Sequence, residues 1–166
     1  MLLIIILGIK YRSILFDLPS TKFPYSFALD IMHLMFENIA KYMFKHWNGT
    51  FFSNSTENNG LYILDNTIWN EIGNLMHKAR KTFPSYLGRS PRNIILHHAC
   101  YKAEEWAAWI TMYSLPLLKN RLPIIYYEGW VLFVKAVRLC KKLCLSNEDV
   151  SEIQTLLLAF YKHYER

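Results

Sequence analysis

The chain has 166 residues, 52% hydrophobic and 16% aromatic, with 19 Lys and Arg against 13 Asp and Glu, for a formal net charge of +6. That length holds one domain with a sizeable core, and the apolar fraction excludes an intrinsically disordered tail. The charge favours an acidic partner such as nucleic acid, and three cysteines, Cys100, Cys140 and Cys144, exclude a disulfide framework and fit a reducing compartment.

The run Met1-Leu2-Leu3-Ile4-Ile5-Ile6-Leu7 has no basic residue before it and no small-residue cleavage site after it. It is too short to span a bilayer and reads as a buried strand closed by Gly8. Residues 1–27 are read as a strand-like or irregular edge with Pro19 and Pro24 as punctuation, and residues 28–166 as a mainly α-helical domain of about five helices.

From about 29 to 46 the apolar positions Met32, Met35, Phe36, Ile39, Met43 and Trp47 recur at helical spacing. Asp30 therefore falls at or just inside a helix N-terminus, where backbone N–H groups and the helix dipole favour its ionised form. Residues 48–60 are a polar loop. A second helix is predicted over about 66–81, with Ile68, Trp69, Ile72, Leu75 and Met76 on one face. A basic loop containing Gly88-Arg89-Ser90-Pro91-Arg92 leads into a third helix over about 91–113, which carries Glu104 and Glu105 and is ended by Pro116.

The fourth helix, about 125–143, turns Trp130, Phe133, Val134, Val137 and Cys140 inward. Lys135, Arg138, Lys141 and Lys142 fall on or near its opposite face, as a phosphate track or a solvated basic surface. Cys140 and Cys144 lie one turn apart; two further ligands at zinc-like spacing are missing, so both thiols are expected to be buried. The last helix opens at Ser146 with Asp149 three residues on, a variant of the capping box. Its inward stripe is Val150, Ile153, Leu156, Leu157, Phe160 and Tyr164.

Asp30 beside His33, and Glu104-Glu105 beside Trp106, offer carboxylates of the kind that hold divalent metals in phosphoryl transfer. Simpler roles stand beside that one. Asp30 also suits a helix cap, His33 a packed imidazole bonded to a carbonyl, and Glu105 an exposed helix position. Arg89 and Arg92, on a loop leading into a helix, hold either a DNA phosphate or an acidic neighbour. Trp106 and Trp109, three apart, are core, and His97 and His98 point to different faces of any helix.

Several segments taken in order resemble the transposases of CACTA (En/Spm-like) DNA transposons, fungal copies in particular. They are Gly8-Ile9-Lys10, the stretch 27–38 with Asp30-Ile31-Met32-His33 at its centre, Gly88-Arg89-Ser90-Pro91-Arg92, Lys102-Ala103-Glu104-Glu105-Trp106, Tyr113-Ser114-Leu115-Pro116, and the closing 158–166. The resemblance covers nearly the whole chain. It implies the remnant of an RNase H-like core with a helical insertion, in which two aspartates and one glutamate bind Mg2+ or Mn2+ and cut and join DNA strands. By that resemblance Asp30 is the second catalytic aspartate with His33 as its companion, and Glu105 is the third acid, with Glu104 as its rival. Asp30 and Glu105 are then the metal ligands, and Arg89, Arg92, Lys135, Arg138 and Lys142 the candidate DNA contacts.

The family's first aspartate lies upstream of anything here, and Asp17, in Phe16-Asp17-Leu18-Pro19, does not match its setting. The expectation is a truncated transposase fragment, inactive alone, that acts on DNA in the nucleus. A second copy or a full-length transposase is its protein partner, and no membrane is involved. The alternative is a non-catalytic helical DNA-binding or protein-interaction module.

Overall fold

The computed structural model describes residues 13–22, 26, 30–52 and 60–165. The chain divides into two units, Met1–Asp30 and Ile31–Arg166. The strand expected at residues 1–7 lies outside the described residues, among which there is no strand and the structure is mainly helical. In the first unit, Ser13 Oγ accepts the Leu15 N–H at 3.2 Å and opens a 3-10 turn, Ile14–Asp17.

Six helices follow among the described residues of the second unit. Helix α1 is wound as a π-helix over Met32–Ala40 and as an α-helix over Lys41–Trp47. Helix α2, Asn66–Ala79, is capped by Asp65, whose carboxylate accepts the Thr67 N–H at 2.6 Å. Those hydrogen bonds hold the Asp65 carboxyl below its ordinary value. Helix α3 is one turn, Ile94–His97. Helix α4 runs through Ala103–Ala108, a π segment Trp109–Tyr113, and Ser114–Leu118. Helices α5, Ile124–Cys140, and α6, Asn147–Tyr164, form the most extensive helix pair. None of these helices is long and apolar enough to cross a membrane.

All five tryptophans, Trp47, Trp69, Trp106, Trp109 and Trp130, are buried in one core. Trp47 meets Trp130 edge to face at 4.9 Å, and Phe44 meets Trp69 in the same way at 4.9 Å. Such aromatic contacts contribute about 0.5–1.5 kcal/mol each beyond the area they bury. Two indole N–H groups are satisfied inside the core: Trp69 Nε1 donates to Trp47 O, and Trp130 Nε1 donates to Ser114 Oγ at 2.9 Å. Ser114 Oγ donates on to Ile110 O at 3.0 Å.

The third helix expected over 91–113 is two helices. After α3 the chain makes a 3-10 turn at His98–Cys100 and extends through Tyr101 and Lys102 before α4 begins. Pro116 also fails to end α4, which continues to Leu118. The turn before Pro116 is already wide, with the Ser114 N–H reaching back five residues to Trp109 O. Its carbonyls are served by side chains: Arg138 Nε and Nη2 both donate to Thr111 O, at 3.1 and 2.6 Å, beside the Ser114 bond to Ile110 O. A proline that removes one N–H is tolerated where the ladder is opened and re-satisfied in this way.

Helix α5 stops at Cys140, three residues earlier than the hydrophobic pattern predicts. Cys144 therefore lies in the following loop and is exposed, Cys140 is half-buried, and Cys100 is exposed, all three as free thiols. The expectation of two buried thiols one turn apart is corrected: burial pushes the Cys140 thiol up, and Cys144 has left the helix. The capping box at Ser146 and Asp149 is present, with reciprocal bonds of 3.1 Å.

Candidate functional site

Arg92 and Glu105 would lie roughly 20 Å apart on one continuous helix. The break between α3 and α4 brings them together. Lys102 adopts extended backbone at the N-cap of α4, so its N–H points at the Glu105 side chain, and Glu105 Oε2 accepts it at 3.1 Å. The same oxygen accepts Arg92 Nη2 at 2.8 Å. Glu105 Oε1 accepts Arg92 Nε at 2.8 Å and the Arg92 backbone N–H at 3.2 Å. Arg92 Nη2 also donates to Cys100 O at 2.6 Å, and the Tyr101 hydroxyl donates to Arg92 O, which closes the loop on itself.

The Glu105 side chain is 0% exposed. Burial pushes its carboxyl up, but the Arg92 hydrogen bonds, the two backbone N–H donors and the guanidinium charge outweigh burial and hold it below its ordinary value. Burial and the nearby Glu105 charge push the Tyr101 hydroxyl the other way, well above its ordinary value.

A carboxylate has about four acceptor positions. At Glu105 four N–H donors occupy them, so a divalent cation there would have to displace Arg92. Glu105 as folded does not fit a metal ligand. Glu104, one residue earlier on α4, is exposed. Among the described residues no group of three or more His, Cys, Asp or Glu side chains is placed to hold a metal ion.

Asp30 is exposed and closes the first unit, one residue before the helical turn that begins at Ile31. His33, exposed on the π segment of α1, belongs to the second unit. Arg89 is exposed in the loop before α3. On α5, Lys135 is exposed, while Arg138 is tied to the Thr111 carbonyl. Lys142, just past α5, pairs with Asp149 at 2.6 Å. Of the two roles open to Arg92, this structure gives it the acidic neighbour.

A second site was not foreseen. The end of α1, Phe52 and Tyr62 after it, and helices α5 and α6 line an open cavity of about 400 Å³. Trp47 and Trp130 are its most buried walls, and Phe52 and Tyr164 are half exposed. Gly129 lets α6 approach: a Cβ there would stand 2.1 Å from His163 Cδ2, so only glycine admits that ring against α5. Tyr164 Oη and His46 Nε2 are hydrogen-bonded at 2.8 Å, and His46 stacks on Phe51 at 3.8 Å. The 16% aromatic content was the signal for such a site, but nothing in the sequence pairs His46 with a tyrosine 118 residues away.

Comparison of the chain with family models, with curated proteins and with solved structures gives no match.

Proposed function

We propose that the chain is a transposase-derived helical module that binds DNA and does not cleave it alone. One observation carries the non-catalytic half of this reading. Two of the segments behind the resemblance to CACTA-type transposases, Gly88-Arg89-Ser90-Pro91-Arg92 and Lys102-Ala103-Glu104-Glu105-Trp106, meet in the buried ion pair of Arg92 and Glu105. Acid and arginine there hold the backbone between α3 and α4, which is an architectural role. Mg2+ or Mn2+ is the cofactor implied for intact proteins of that kind, and Glu105 offers it no ligand while Arg92 is bound.

The DNA half of the reading rests on the net charge of +6 and on Lys135 of α5 and Lys141 just past it, which have no acidic partner among the described residues. Such cations neutralise phosphates and release counterions, with little regard for sequence. A nuclear location, and a second copy or full-length transposase as partner, follow from the same ancestry.

The test is DNA binding by fluorescence anisotropy across a salt series, run beside supercoiled-plasmid nicking in Mn2+, for wild type, Asp30→Ala and Lys135→Glu with Lys141→Glu. The expected result is salt-dependent binding that survives Asp30→Ala, weakens on charge reversal, and comes with no nicking. Nicking that disappears in Asp30→Ala would establish an enzyme instead, and no binding at low salt would remove DNA as the partner.

A further inference from the structure

We infer that the aromatic cavity between α1, α5 and α6 is a binding site for a single unstacked nucleobase. The volume of about 400 Å³ is that of a small-molecule site. Its walls select the chemistry. Among the described residues no Leu, Ile or Val lines it, so an aliphatic chain would meet flat rings instead of the branched side chains that usually pack against one. Among the described residues no Asp or Glu lines it either, and two imidazoles, His46 and His163, stand where a quaternary ammonium would need negative charge. A carboxylate or phosphate buried inside would find no Lys or Arg among the described residues of the walls.

A neutral planar ring with hydrogen-bonding edges meets none of these objections. Trp47, Trp130, Tyr62, Tyr126 and Phe160 supply faces and edges for stacking. Tyr62, Tyr126 and His163, which also line the cavity, are side chains that carry donors and acceptors. Desolvation holds the His46 pKa below its ordinary value, so near neutral pH that ring adds hydrogen-bonding capacity without charge. The phosphate of a bound nucleotide stays outside, where a protein of net charge +6 attracts it.

The base comes either from a free nucleotide or from an unpaired position in a DNA strand. Only the second source rests on the DNA-binding reading; recognition of the ring does not.

Intrinsic tryptophan fluorescence of the full chain, reporting Trp47 and Trp130, is titrated with adenosine monophosphate, with an oligo-dA strand, and with an abasic strand of equal length. Tyr126→Ala and Phe52→Ala are the test variants, with Tyr126→Phe as the conservative control and circular dichroism as the check on folding. Saturable quenching is expected, weakened about tenfold or more in Tyr126→Ala and restored towards wild type in Tyr126→Phe. Preference for oligo-dA over both other ligands assigns the base to a strand; equal response to the mononucleotide and the strand, each above the abasic strand, assigns it to the free nucleotide. If dA and abasic strands bind alike in wild type and variants, the pocket proposal fails while DNA binding stands. If no strand binds but the mononucleotide does, DNA binding fails while the pocket stands. Saturation by N-acetylphenylalanine amide with no response to any base would overturn the proposal in favour of an aromatic peptide side chain.

Discussion

Arg92 closes on Glu105, 13 residues further along, through two parallel contacts of 2.8 Å that join the loop before α3 to the first turn of α4. The carboxylate has lost its water, so its stability depends on the guanidinium. Arg92→Ala strands a buried charge and is expected to lower Tm on the order of 10 °C. The double variant Arg92→Met with Glu105→Leu removes the charge as well as its partner and is expected to recover most of that loss. Thermal melts of the single and double variants decide it: a double variant no more stable than Arg92→Ala would mean that the pair contributes through packing instead of charge.

The same pair sets an acid limit. A carboxyl whose folded pKa lies below its ordinary value of 4.5 contributes stability that is fully present above 4.5 and is lost as pH falls through the lower folded value. Wild type should therefore lose stability below about pH 4.5 more steeply than Glu105→Gln, with the difference between them shrinking as pH falls. Urea midpoints measured from pH 6 downwards test this, and parallel curves would remove Glu105 from the account.

Gly73 of α2 leaves room for the side chain that caps α3. A Cβ at Gly73 would stand 2.4 Å from Asn93 Oδ1, which accepts the Ile95 and Leu96 N–H groups at 3.0 and 3.3 Å. Gly73→Ala is expected to cost about 1–3 kcal/mol by overpacking, and Asn93→Ala about 1 kcal/mol through the lost cap. In Asn93→Ala the clash is gone, so Gly73→Ala should cost much less there. Strict additivity in the double-mutant cycle would contradict this packing.

On α5 the exposed cations divide by what they touch. Lys135→Ala should reduce the slope of log K against log salt for DNA binding by about 1. Arg138→Ala should leave that slope nearly unchanged and lower thermal stability, since its guanidinium serves the Thr111 carbonyl beside Pro116. Equal changes in slope for both would show that Arg138 leaves that carbonyl when DNA binds.

Much of the helical register was legible because burial writes a 3.6-residue repeat. Trp69, Ile72 and Met76 on α2, and Trp130, Phe133, Val134 and Val137 on α5, are buried as their spacing requires. The capping box at Ser146 was legible for the same local reason. The break between α3 and α4 was not, because its cause is a contact between side chains 13 residues apart, and local propensity carries no sign of it. Continuation through Pro116 was equally hidden: the donors that compensate for proline include a guanidinium 27 residues away from the carbonyl it serves. Of the predicted site, the acid at 105 and the arginine at 92 were read as separate functional groups, and only the fold makes them partners.

Helix α6 has no fully buried residue along its 18 positions, and it is held by one partly covered face, the Ser146 box at one end and the bond from Tyr164 to His46 at the other. Its amides should therefore exchange with deuterium through a partial opening below the global unfolding energy. Phe160, His163 and Tyr164 leave with it and take one wall of the aromatic cavity away. Occupancy of the cavity and closure of this helix are thus linked equilibria: whatever fills the first slows exchange in the second, and a helix that opens freely sets the ceiling on how tightly anything can be held.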